Sequence, residues 1–158
     1  MRAALAVRYA ANHKISVLTP GETAALKPAS FDLIVMHSVV QYLSATELER
    51  QLTLFRKLIK PDGLLILGDV VPQHLAAPAA VWTLLRYGAA NGFFWAALIG
   101  LMRIYRSDYR RLKRTVGLAH YTEAEMLEKL QRAGFAAQRA PHNVGHNQHR
   151  MSFLAHPA

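Results

Sequence analysis

Residues 30–71 hold two short apolar runs joined by an amphipathic segment, and that arrangement limits the folds open to the chain. Phe31 to Met36 is rich in Leu, Ile and Val, too short for an ordinary helix and bounded by polar residues, so it reads as a strand buried on both faces. His37 and Ser38 stand at its carboxyl end. From Thr46 onward, Leu48, Leu52, Phe55, Leu58 and Ile59 recur at helical spacing, and Glu47, Glu49, Arg50, Arg56 and Lys57 form a solvated face. Ser44 is placed to cap this helix, Glu47 to complete a capping box, and Lys57 and Lys60 to favour the dipole in the last turn. Pro61-Asp62-Gly63 supplies turn chemistry, after which Leu64 to Leu67 begins a second buried strand that ends at Gly68-Asp69. Strand, helix and strand in so short a stretch form a βαβ unit, which requires a parallel sheet and a right-handed crossover. The expected class is therefore α/β.

These residues carry a family resemblance. FDLI, then a helix with R-K-L-I-K-P-D-G, then LLILGDVVP resembles the fourth strand, crossover helix and fifth strand of a class I S-adenosylmethionine-dependent methyltransferase. TEAEMLEKLQRAGFAAQRA resembles the helix, turn and sixth strand of that family, and HRMSFLAHP its antiparallel last strand. The resemblance implies a Rossmann-like, mostly parallel sheet with an antiparallel last strand, and S-adenosylmethionine as cofactor. It also implies an opening strand with a glycine-rich turn and a second strand ending in a ribose-binding acid. Neither precedes Ser30: Met1 to Asn12 resembles the helix after the second strand, and Ile15 to Leu18 the third strand. The expectation is a partial domain over residues 1–158, a fragment or truncated gene product that binds the cofactor poorly alone. A partner that completes the sheet is the rival reading.

Composition adds bounds. With 158 residues, 52% hydrophobic, there is apolar material for one core, and zero cysteines exclude a disulfide scaffold or thiolate metal site. The first residues hold no apolar stretch long enough for a secretory signal, so cytoplasmic placement is the default. The formal charge of +9 concentrates in RIYRSDYRRLKR, residues 103–114, with Tyr105 and Tyr109 interleaved. Such a strip either contacts phosphates or an anionic membrane, or is a solvated helix face; no nucleic-acid module accompanies it, and no nucleic-acid partner is expected.

Residues 72–121 far exceed the dozen or so that a crossover needs. A helical stretch from Ala79 to Tyr87, a break around Gly88 to Gly92 and a second run from Phe93 to Tyr105 predict two helices lying over the carboxyl ends of the strands, where open α/β sheets bind ligands. The resemblance makes this insertion a lid over the methyl acceptor, with Trp82, Tyr87, Phe93, Phe94, Trp95 and Met102 lining a pocket for a small or medium-sized, rather apolar molecule. The alternative is that they close the lid's own core. The apolar run is shorter than the roughly 20 residues that span a bilayer, although it and the basic strip together allow weak membrane-surface contact.

Methyl transfer needs positioning above all, and a base where the acceptor must lose a proton. The resemblance places Met36, His37, Ser38 and Gln41 beside the cofactor's methionine and methyl end, Tyr42 in the same cleft, and Glu22 near the adenine. His37 and Ser38 read equally as a strand-end pair satisfying local backbone. Asp69 either orients an acceptor or caps the turn before Pro72. His142, His146 and His149 cluster without matching a zinc signature, so no metal is expected. On this topology their loop reaches the ligand edge, which makes His146 and His149 candidate bases and Asn147 an acceptor contact; otherwise the loop is a hairpin turn with solvated histidines. A bare sheet edge at the third or fourth strand predicts poor solubility or dimerisation. The remaining rival is a basic module in which Arg106, Arg110, Arg111, Lys113 and Arg114 matter more than the cleft.

Overall fold

The computed structural model describes residues 2–73, 77–106 and 119–158. The chain opens with α1 (Arg2–Tyr9) and α2 (Pro20–Ala24), followed by β1 (Phe31–His37), a 3-10 turn (Val40–Tyr42), α3 (Ala45–Leu58) and β2 (Ile59–Val70). Next come α4 (Ala77–Ala90), α5 (Phe94–Arg106), α6 (Glu123–Arg132), β3 (Phe135–Arg139) and β4 (Met151–Pro157). The sheet order is β1-β2-β4-β3. β1 and β2 are parallel, and β4 runs antiparallel to both β2 and β3, so three strands share one direction and the last opposes them.

The predicted crossover forms. Ser44 caps α3 with a capping box, its side chain accepting from the Glu47 N–H while Glu47 accepts from the Ser44 N–H. The same device, unread in the sequence, starts α2 at Thr19–Glu22 and α6 at Thr122–Glu125. Leu48 and Leu52 of α3 and Met126 and Leu130 of α6 pack with Met36, Leu65, Leu67, Phe135, Phe153 and Ala155 in one core.

Three expectations need correction. Ile15 to Leu18 is not a strand, because among the described residues no neighbouring strand offers it a ladder. Pro61-Asp62-Gly63 does not separate helix from strand: β2 begins at Ile59, directly after α3, and the three residues sit in a bulge where the register jumps from Phe31↔Ile59 to Leu33↔Leu64. Finally, β1 is buried on one face only. Ile34 and Met36 face the core, whereas Leu33 and Val35 are 51% and 52% exposed. They share the open face with Leu64, Ile66 and Leu154 by register, and α2 contributes no buried residue to cover it.

Helices α4 and α5 form as a hairpin, α4 longer at both ends than the expected stretch and α5 shifted by one residue from the expected run. Gly88 lies inside α4 rather than in the break: a Cβ there would stand 3.3 Å from Ala97 Cβ and Phe94 Cα, so its absence lets the two helices approach. The break is at Gly92, whose φ of +76° suits glycine.

Glu47 and Glu125 are both held below the ordinary glutamate value of 4.5, first by the backbone N–H of Ser44 and Thr122. A folded value below the unfolded one gives stability that is fully present above about pH 4.5 and lost as pH falls through the folded values. Thermal unfolding in an acid series should therefore show a falling Tm below that pH, and a shallower fall in the Glu47→Gln/Glu125→Gln protein. Parallel curves for the two proteins would contradict the capping account.

Candidate functional site

The carboxyl ends of β1 and β2 meet at a bulge. Between Leu67↔Phe153 and Val70↔Met151, β2 carries one residue more than β4, and Asp69 takes the left-handed conformation there with φ 65°. Ser38, just beyond β1, is left-handed too at φ 56°. Each such non-glycine residue costs on the order of 1–2 kcal/mol and persists only where its surroundings hold it.

Here the holding groups are visible. Ser38 N–H donates to Gly68 O at 3.1 Å, and Ser38 Oγ donates to Asp69 Oδ2 at 2.6 Å. Asp69 is buried, and its carboxylate also accepts from Arg150 Nη1 and, at 3.2 Å, from Asn143 Nδ2. Asn143 Oδ1 accepts in turn from Asp69 N–H at 3.1 Å and from the buried Ser152 Oγ at 2.6 Å. Thus Asp69 does not cap the turn before Pro72; it ties the tip of β1 to the β3–β4 loop. Asn143, Arg150 and Ser152 were not among the candidate residues. The signal available for them is the antiparallel register, which sets the residue after β2's bulge beside the residue that opens β4.

The loop lies against the strand tips. A Cβ at Gly145 would meet Asn143 Nδ2 at 3.0 Å, Asp69 Oδ1 at 3.2 Å and His37 Cε1 at 3.2 Å, and one at Gly68 would meet His37 Nδ1 at 2.5 Å. The His37 ring is thus seated on two glycines from different elements. Met36 is in the core. Gln41 is buried, donates to Ser38 O at 2.9 Å, and accepts from the Ala119 N–H at 2.9 Å through its backbone carbonyl. Its side-chain Oε1 is buried and, among the described residues, has no hydrogen-bond partner. Tyr42, by contrast, is half exposed.

Of the lid residues, Tyr87 reaches this cluster: its ring lies 5.4 Å from that of His146, tilted by 35°, and 5.7 Å from Phe93. Phe94 contacts Trp95 edge-on at 5.5 Å. Trp82 and Trp95 are largely exposed and are not brought to the cluster. The two candidate histidines have separate surroundings. His146 stands by the lid, while His149 lines a groove with Pro72, Tyr121, Glu123, Arg139 and Met151. Asn147 is buried and serves its own loop, accepting from His149 N–H at 3.1 Å. Glu22 completes the α2 capping box. Beside β2, Tyr121 N–H donates to Val71 O at 3.0 Å, and burial pushes the Tyr121 phenol above its ordinary 10.0. Among the described residues no group of three or more His, Asp or Glu is placed to hold a metal. Arg110, Arg111, Lys113 and Arg114 lie outside the described residues, as does the side chain of Arg106.

Removing one member of the Asp69 cluster strands buried partners. Asp69→Ala should lower stability by about 2–4 kcal/mol. Arg150→Ala should cost less, and the double variant clearly less than the sum. Urea unfolding of the three proteins checks this, and additive losses would show that Asp69 and Arg150 are not coupled.

Comparison with known proteins follows the same outline. Residues 1–67 match a family model described as a methyltransferase domain. The pyocyanin biosynthetic protein PhzM is similar in structure, with TM-score 0.56 and 17% identity over 97% of this chain. Human N-acetylserotonin methyltransferase, solved in complex with SAM, gives 0.54 and 12% over 95%, and the mitomycin 7-O-methyltransferase MmcR gives 0.56 and 16% over 98%. The chain spans only 38%, 37% and 38% of these three proteins. No curated protein matches it by sequence.

Proposed function

We propose that this chain, which has the class I methyltransferase fold in its sheet order, its family match and its structural neighbours, is the acceptor-side part of an S-adenosylmethionine-dependent methyltransferase. The observation that carries the reading is the meeting of three elements at the strand tips: Ser38 after β1, Asp69 in β2's bulge, and a β3–β4 loop whose His146 lies against Tyr87 of the lid. Ligands of open α/β sheets bind at that edge.

The residues present fit one end of the cofactor. Gln41 Oε1 is a buried acceptor whose lone pairs meet no donor among the described residues, the kind of oxygen that a sulfonium methyl or an ammonium group satisfies. His37, Ser38 and Gln41 would hold the methyl and methionine end, whereas the core position of Met36 takes it out of that role. Among the described residues no glycine-rich turn follows a strand to take the remainder, so binding by this chain alone is expected to be weak. When bound, S-adenosylmethionine supplies an electrophilic methyl carbon. The chain's part is to position the acceptor and exclude water. Tyr87 and Phe93 offer an aromatic wall suited to a small or medium-sized, rather apolar molecule, and His146 is the side chain best placed to take its proton.

A second reading rests on the open sheet face, where Leu33 and Val35 stand exposed beside β1's free edge. An uncovered apolar face of this kind suits a non-catalytic domain that another polypeptide, or a second copy, completes.

Methyl transfer from labelled S-adenosylmethionine to a panel of small aromatic hydroxyl acceptors separates the readings, with the chain joined to whatever coding sequence lies upstream in frame. The enzyme reading expects turnover that His146→Gln lowers about a hundredfold in kcat, while His149→Gln stays within about twofold. Loss on His149→Gln instead would reassign the base, and no transfer to any acceptor would favour the non-catalytic reading.

A further inference from the structure

The α4–α5 hairpin buries one apolar stripe and leaves another in the open. Phe94, Ala97, Leu98 and Leu101 of α5 are half-buried, and Phe94 and Ala97 lie against Gly88 of α4. About a third of a turn away, at 100° per residue, Trp95, Ile99 and Met102 follow one another at spacings of four and three. They are 72%, 49% and 49% exposed. On α4, Trp82 is 65% exposed and Val81 is exposed beside it. A soluble helix with one partner does not need a second apolar stripe.

The charge of the same segment is one-sided. Residues 70–122 contain Arg86, Arg103, Arg106, Arg110, Arg111, Lys113 and Arg114 against Asp108 alone, which is seven cations, one anion and a net charge of +6. That is most of the chain's +9. Neither α4 nor α5 carries an acidic residue, and both Arg86 and Arg103 are exposed. An apolar stripe with aromatic residues, flanked by cations and free of carboxylates, is complementary to an anionic lipid surface.

We propose that this hairpin docks on anionic membranes. In that seat α5 lies in the plane of the interface, with Trp95, Ile99 and Met102 at the boundary of headgroups and acyl chains and Arg86 and Arg103 among the phosphates. The described α5 is short for spanning: it has 13 residues, about 20 Å at 1.5 Å each, against a hydrocarbon core of about 30 Å. Among the described residues no helix is long and apolar enough to cross. The aliphatic members of the stripe set lipid apart from nucleic acid, since Ile99 and Met102 neither stack on bases nor pair with phosphate. Because Tyr87 on α4 touches His146, the docked face adjoins the candidate acceptor site.

The chain offers its own reporter, because both of its tryptophans, Trp82 and Trp95, lie on the hairpin. Vesicles of equal parts phosphatidylglycerol and phosphatidylcholine, titrated into the intact chain at low salt, should shift tryptophan emission to the blue. Brominated lipid should quench it. Pure phosphatidylcholine should bind about tenfold more weakly or worse, and added salt should weaken binding to the anionic vesicles. A Trp95→Ser/Ile99→Ser/Met102→Ser protein should lose about tenfold in partitioning. A Leu33→Ser/Val35→Ser protein, altered on the open sheet face, should bind like the parent. Equal binding to both vesicle types would overturn the proposal, as would equal loss in the two variants, or an emission shift with homopolymeric RNA but not with vesicles. Should the triple variant lose its circular dichroism, the brominated-lipid result on the parent decides alone: quenching supports docking, and its absence refutes it.

Discussion

Asp69 gathers three donors from two other elements onto one buried carboxylate: Ser38 beyond β1, and Asn143 and Arg150 at the two ends of the β3–β4 loop. Without such an acceptor, neither left-handed residue at the tips would be held, and the loop that carries His146 would have no fixed seat. The strength of the arrangement comes from charge and burial together. A carboxylate removed from water is costly unless its lone pairs are filled, and here one cation and two neutral donors fill them. The bulge in β2 is part of the device, since an unbroken ladder would turn Asp69 to the other face of the sheet.

The surfaces that this cluster organises differ in what they ask for. Toward the hairpin, the rings of Tyr87 and His146 meet. Toward the far side of the sheet, Leu33, Val35, Leu64 and Ile66 form an apolar face that α3 and α6 do not cover, since both pack on the opposite side. Outward from the hairpin, Trp82, Trp95 and Ile99 face solvent beside arginines.

Much of the fold was legible because its signals are local. Ser44 and Glu47 mark a helix start whatever lies elsewhere, and the runs before and after that helix can pair only in parallel. The near-continuous apolar run of β1 read correctly as a strand but wrongly as one buried on both faces, because among the described residues no layer covers Leu33 and Val35. Ile15 to Leu18 failed as a strand for a related reason, since β structure depends on a neighbour as much as on propensity. Pro61-Asp62-Gly63 carries real turn chemistry, which the structure spends on a bulge. The candidate site was legible only in part. Ser38, Gln41, Asp69 and His146 could be placed by counting from strand ends. Asn143 and Arg150 could not, because their partner Asp69 lies more than seventy residues away, and Ser152 could not because its partner is Asn143.

The central claim, that the tips of β1 and β2 form one wall of a cofactor and acceptor site, is tested most directly by amide NMR of the isotope-labelled chain titrated with S-adenosylhomocysteine. Weak binding suffices for this measurement. The account predicts shifts that change together at His37 to Tyr42 and at Asp69, with the amides of α6 unaffected. Shifts confined to α1 and α2, or none at millimolar ligand, would contradict it.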